Sequence, residues 1–225
     1  MRRSVKWLIA AGVLLVLGVA ISCIGLSMTG IKGLTGLNNK YETRTYDIEE
    51  DFSSINITAT TDDITLQLTG EDHCRVECRI PEGVSSVVEV QEGTLVINTE
   101  DDNNDFLNFN SIGIGNAMPE ITVYLPQEQY RDLSISTIMG DIILDGIVAQ
   151  DSISITCVTG DVTFDECDAS YINVDVTTGD IEGTLLSGKK FEATVITGDV
   201  DVPQSEGDED CVLHSITGDI TIDIV

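Results

Sequence analysis

Basic residues are scarce. The chain of 225 residues carries 11 Lys and Arg against 39 Asp and Glu, a formal net charge of −28. Three of the basic residues, Arg2, Arg3 and Lys6, precede Trp7, so the remainder holds 8 basic against 39 acidic groups. Phosphate backbones are bound through clustered Lys and Arg, so nucleic acid is excluded as a partner. The same field repels anionic lipid and attracts cations and basic peptides. Histidine is nearly missing: His73 and His214 stand far apart, and no nucleophile motif surrounds any Ser. Lyases acting on acidic sugars need basic side chains in their groove, and after Arg131 only Lys189 and Lys190 remain. Cysteine lacks a pairing number, since five lie beyond the N-terminal apolar run, at 74, 78, 157, 167 and 211. An odd count argues against a full disulfide framework. Cys74, Cys78, Cys157 and Cys211 fall on apolar columns, where a thiol behaves as a small hydrophobe; Cys167 falls in a corner and is expected to be more exposed.

What is present begins with an uncharged run over residues 7–28. Its 22 residues would span roughly 33 Å as a helix, enough to cross a bilayer core. Arg2, Arg3 and Lys6 precede it, which predicts a cytoplasmic N-terminus and an outward-facing remainder. Residues 1–6 are then a basic tail, 7–28 a single-pass transmembrane anchor and 29–40 a Gly-, Thr- and Asn-rich linker to an extracytoplasmic domain over 41–225. Val19, Ala20, Ile21, Ser22 and Cys23 offer a second reading, a lipoprotein site with Cys23 lipidated.

The C-terminal half repeats. Met139-Gly140-Asp141, Thr159-Gly160-Asp161, Thr178-Gly179-Asp180, Thr197-Gly198-Asp199 and Thr217-Gly218-Asp219 space their glycines by 20, 19, 19 and 20 residues. A near-constant period marks units that bury their apolar faces only by stacking. Aligned on the glycine, one column reads Leu133, Ile153, Ile172, Phe191 and Cys211, and the next Ile135, Ile155, Val174, Ala193 and Leu213. A third reads Thr137, Cys157, Val176, Val195 and Ser215, and beyond the corner stand Ile142, Val162, Ile181, Val200 and Ile220. Apolar residues at every second position are half-buried strands, and β-branched residues suit them. Gly140, Gly160, Gly179, Gly198 and Gly218 are read as structural turn residues.

These features predict an all-β fold, a single-stranded β-solenoid of about 19–20 residues per coil, with regular repeats over 131–225 and degenerate coils over 41–130. In the degenerate part Asp62-Asp63 takes the corner, with Ile64, Leu66 and Leu68 inward. A weaker copy runs through Val88, Val90, Gly93, Leu95 and Ile97, and Cys74, Val76, Cys78 and Ile80 also alternate.

Stacking such coils puts Asp141, Asp161, Asp180, Asp199 and Asp219 in a ladder at about 4.8 Å. Adjacent unit charges at that distance repel by about 0.9 kcal/mol in water, so backbone donors, screening or a cation must offset them. Calcium takes six to eight oxygens, whereas each corner supplies one carboxylate. The aspartates are therefore read as turn residues, with a calcium ladder as the alternative. No other metal or cofactor is called for. An insertion over 100–118 interrupts the pattern, and Asp101, Asp102, Asp105, Phe106 and Phe109 form a candidate partner-binding loop, an acidic and aromatic lip suited to a cationic amphipathic peptide.

The anchor, the stretch Ile121-Thr122-Val123-Tyr124-Leu125-Pro126 and the repeated Gly-Asp-Ile or Gly-Asp-Val corners resemble a bacterial domain-of-unknown-function family of β-strand repeat proteins, named as proposed adhesins. The resemblance covers residues 41–225. It implies an envelope-located β-solenoid without established catalytic residues, some members of which accompany envelope-stress and antimicrobial-peptide response systems. The expectation is a non-catalytic binding or structural module at the cell membrane, with cationic peptides, envelope glycan or a membrane protein as partners. A polysaccharide-acting enzyme on a β-helix scaffold and a calcium-binding adhesin are the alternatives.

Overall fold

The computed structural model describes residues 41–81, 85–99, 119–126, 129–204 and 207–225. The expected anchor over 7–28, the linker over 29–40, Cys23 and the insertion over 100–118 lie outside the described residues. No helix among the described residues is long and apolar enough to cross a membrane.

Among the described residues, alternating apolar and polar side chains give sixteen strands. In the first half these are β1 (Tyr41–Ile48), β2 (Ser54–Ala59), β3 (Asp63–Thr69), β4 (Cys74–Pro81), β5 (Val87–Gln91), β6 (Thr94–Asn98) and β7 (Glu120–Pro126). The repeats supply β8 (Tyr130–Met139), β9 (Ile142–Asp145), β10 (Val148–Thr159), β11 (Val162–Thr178) and β12 (Ile181–Leu185). The last are β13 (Lys190–Thr197), β14 (Val200–Asp201), β15 (Asp210–Thr217) and β16 (Ile220–Ile224). One face runs β1-β4-β7-β3-β9-β11-β12-β16-β14, and the other β5-β6-β2-β8-β10-β11-β15-β13. The long β11 bends between them, giving its first residues to one face and its last to the other. The repeat strands pair in parallel, inward column on inward column: Leu133, Ile153, Ile172, Cys211 and Phe191 lie side by side. Their buried side chains make one apolar cluster.

The all-β, solenoid-like architecture follows the expected columns, but the coils do not stack in chain order. Successive levels are β6/β7, β2/β3, β8/β9, β10 with the start of β11, the end of β11 with β12, then β15/β16 and finally β13/β14. The last coil in sequence is thus inserted beneath the one before it. The chain exchanges levels where Lys189 and Lys190 pass Glu209 and Asp210. The Lys190 N–H donates to the Glu209 carbonyl (2.7 Å) and Lys190 Nζ to Asp210 Oδ1 (3.1 Å). Lys189 is fully buried there, its Nζ bonded to the Ala169 carbonyl at 2.7 Å and to Glu209, and 2.5 Å from Asp168 Oδ1. Burial alone lowers its pKa, but the hydrogen bonds to Asp168 and Glu209 outweigh that and raise it. This ammonium closes the crossing as a paired buried charge.

Four further expectations differ. The strand holding Cys74, Val76, Cys78 and Ile80 is no coil: β4 pairs antiparallel with both β1 and β7 and covers one end of the stack. Its outward Arg75 and Arg79 lie over the Tyr124 and Tyr41 rings, at 4.5 and 5.6 Å. Gly93 is not a coil corner but, with Glu92, the turn of an antiparallel hairpin joining β5 to β6, both residues at positive φ (49° and 77°). Leu68 is 38% exposed rather than inward, and Cys167 is fully buried rather than exposed. The reason for the latter is a register shift between Phe164 and Cys167, where Glu166 adopts φ 49° and the extra residue turns the thiol into the core.

Candidate functional site

The Gly-Asp corners form one continuous ladder in the order Asp63, Asp141, Asp161, Asp180, Asp219, Asp199. Each carboxylate accepts the backbone N–H of the next aspartate. Asp141 donates to Asp63 Oδ1 at 3.0 Å, Asp161 to Asp141 at 2.9 Å, and Asp180 to Asp161 at 2.8 Å. Asp219 donates to Asp180 at 2.7 Å and Asp199 to Asp219 at 2.8 Å. One oxygen of each internal carboxylate is thereby committed to the fold, and its amide partner offsets the repulsion between rungs. Backbone bonds run alongside, Gly160 N–H to the Thr178 carbonyl (3.0 Å) and Val162 N–H to the Asp180 carbonyl (2.9 Å) among them.

This close stacking requires glycine. Gly179 has φ +147°, and a Cβ there would stand 2.0 Å from the Gly160 carbonyl oxygen. Gly140, Gly160, Gly198 and Gly218 share that geometry, with the oxygen 2.0–2.2 Å away. At the first rung Asp62 replaces glycine, and its carboxylate turns inward, 3% exposed, to accept a hydrogen bond from Thr99 Oγ1 at 2.9 Å. Burial raises its pKa, against the pull of the Thr99 bond and the Thr60 and Thr61 amides. Burial likewise raises Asp63, whose bond from the Asp141 amide works the other way.

Among the described residues no group of three or more His, Cys, Asp or Glu is arranged to hold a metal ion. The partner-loop candidates Asp101, Asp102, Asp105, Phe106 and Phe109 lie outside the described residues. All five thiols from Cys74 onward are buried and unpaired. Burial pushes Cys74, Cys78 and Cys211 up to about 12, and Cys157 and Cys167 to about 11.

The outward side of the face built from β2, β8, β10, β11 and β15 carries rows that the repeat alignment passes over. One row is Asn56, Ser134, Ser154 and Asn173, ending on Val212; its neighbour is Thr58, Ser136, Thr156, Asp175 and His214. A third is Asp132, Ser152, Tyr171 and Asp210. Ser152 Oγ donates to Asp132 Oδ1 at 2.9 Å, Asn173 Nδ2 to Asp175 Oδ2 at 3.1 Å, and His214 Nδ1 lies 3.6 Å from Asp175 Oδ1. Tyr171 is 43% exposed at one side of this polar plane. The signal for these residues was the alternate position, one residue from each inward column. It names the face but not which of its residues matter.

A solved structure with the same fold is a proposed cell adhesion protein from Clostridium sporogenes ATCC 15579. It is 15% identical, with a TM-score of 0.68 over 83% of this chain and 100% of the other. A proposed adhesin from Bacteroides fragilis NCTC 9343 aligns at 16% identity over 84% of this chain and 98% of its own, with a TM-score of 0.39. No curated relative matches the chain. Residues 52–223 match the family described as Toastrack DUF4097, which takes in every corner of the ladder from Asp62 to Asp219, and the chain belongs to that family.

Proposed function

We propose that the domain is a non-catalytic binding module of the bacterial cell envelope, held outward by the segment at 7–28, and that it adheres to an extended polar polymer such as envelope glycan. The observation that carries this reading is the outward plane around Tyr171. Short hydroxyl, amide and carboxylate side chains repeat there at the strand spacing of about 4.8 Å on a rigid support, beside an exposed aromatic ring. Sugars offer both hydroxyls and an apolar face, so such a surface suits them. The adhesion role named for the Clostridium sporogenes protein agrees with this reading, although that likeness speaks to fold alone. The non-catalytic part is supported by the commitment of the ladder carboxylates to backbone amides and by the open setting of His214 and Asp175. A calcium ladder finds less support, because each rung offers one carboxylate already engaged.

A glycan array probed with the full chain in detergent tests the proposal. Binding should be insensitive to salt and fall about tenfold, or 1.4 kcal/mol, on Tyr171→Ala. A blank array, or binding unchanged by that substitution, overturns it. A second reading has its own observation, the excess of 39 acidic over 11 basic residues. Capture of a cationic peptide, as in an envelope-stress response, would weaken steeply as salt rises.

A further inference from the structure

The two ends of the stack are finished differently. At one end the antiparallel strands β1 and β4 extend one face and β5 the other, with β1 and β5 as edge strands. At the opposite end, among the described residues, β13 pairs only with β15, and β14 only with β16. Among the described residues the last level therefore presents an edge without a further strand partner, over a core end that no described strand covers. Phe191, Ala193 and Val195 are only partly buried, Val200 is 42% exposed and Ile196 72%. An apolar edge of this kind is a template for another strand.

We propose that this end joins a second copy of the chain, β13 against β13, about a two-fold axis normal to the sheet. That axis keeps inward side chains on the inward side, so the pairing must match even offsets. Centred on Ala193, it sets Phe191 against Val195 twice and Ala193 against itself, continuing the core across the junction. On the outer side Glu192 meets Thr194 and Lys190 meets Ile196, so no like charges stand opposite; centring on Glu192 would face two carboxylates. The eight residues of β13 make an edge of roughly 27 Å, and two faces with their outer side chains about 20 Å of depth. The contact is then near 500 Å² per copy, about 1,000 Å² in all, the lower bound for a specific interface. Because a two-fold contact uses the same edge on both copies, this junction closes at two. Lys190 stands against Glu192, Asp199 and Asp201 on this level, so the copies repel weakly and salt should strengthen the association.

The test is disulfide trapping in the full chain with Cys23→Ser. The remaining native thiols are buried, with pKa values pushed to about 11–12, and stay silent. Ala193→Cys should form a covalent dimer on mild oxidation, since its Cα would face its own copy within bridging distance. Thr194→Cys should not, because its nearest copy would be about 8 Å away. Sedimentation of the unmodified chain in detergent should show a monomer–dimer equilibrium that tightens from about 0.05 to 0.5 M salt. Folding of each variant is checked by circular dichroism. A folded Ala193→Cys protein that stays monomeric, as it would if this edge served a different partner, overturns the proposal. So does equal cross-linking of both variants, or assembly beyond two copies. Should Ala193→Cys fail to fold, sedimentation of the unmodified chain decides alone, a monomer at all salts overturning the proposal.

Discussion

Replacing Gly179 with alanine separates the stacking geometry of the ladder from ordinary turn chemistry. At φ +147° any L side chain is strained by roughly 1–3 kcal/mol. In addition, the new Cβ stands 2.0 Å from the Gly160 oxygen, so the two levels must separate by over 1 Å to reach ordinary contact. Three hydrogen bonds cross that junction: Gly160 to Thr178 at 3.0 Å, Asp180 to Asp161 at 2.8 Å and Val162 to Asp180 at 2.9 Å. At about 1 kcal/mol each net, their loss adds about 3 kcal/mol, for a total of about 4–6 kcal/mol. That is much of the stability of an ordinary domain. In urea the midpoint should fall by about 2–3 M for a slope near 2 kcal/mol/M. Gly93→Ala is the control, since its φ of +77° is also positive but nothing lies within 4 Å of the added Cβ. It should cost about 1 kcal/mol. Gly198→Ala meets the Gly218 oxygen at 2.0 Å but lies on the outermost level, which can tilt away, so its cost should be intermediate. If Gly179→Ala costs no more than Gly93→Ala, the stacking argument is wrong.

The ladder carboxylates should act as acceptors rather than as charges: Asp161→Asn keeps an oxygen for the Asp180 amide and should melt within a few degrees of the parent, whereas Asp161→Ala should lose about 0.5–1 kcal/mol. Equal loss for both variants in thermal melts would show that the charge matters after all. Asp62 gives the pH dependence. Its folded pKa is raised above 3.8, so the native state holds the proton more tightly than the unfolded chain, and stability from this group is lost as pH rises through the window above 3.8. The stability of Asp62→Asn relative to the parent should therefore increase with pH across that window, whatever constant offset its altered hydrogen bonds impose. Urea titrations from pH 4 to 7 that give a flat or falling difference would refute this.

The inward columns were legible because a period of two forces every second residue into the core, and Ile55, Leu133 and Ile153 are all buried as read. Level order was not. Thr197-Gly198-Asp199 and Thr217-Gly218-Asp219 carry the same rung chemistry, so either could stack on Thr178-Gly179-Asp180, and nothing local chooses between them. The choice rests on distant residues, Lys189 with Asp168 and Glu209. Strand direction was hidden for a similar reason: Cys74, Val76, Cys78 and Ile80 alternate alike in a parallel coil or an antiparallel cover. The glycine of a hairpin, Gly93, resembles the glycine of a corner until its partner strand is known. As for the polar rows around Tyr171, alternation shows that they point outward, and their chemistry alone suggests what they would hold.

The crossing at Lys189 has a consequence for how such a chain can grow. Its rim is residues 190–201, while residues 210–224 lie one level in, bridged to Gly179 and Asp180 across 36 and 39 positions instead of the usual 19 or 20. The outermost level finds its strand partners only once residues 210–224 have docked beneath it. A unit inserted directly after Ile224 would therefore start from the interior of the stack and not from its rim.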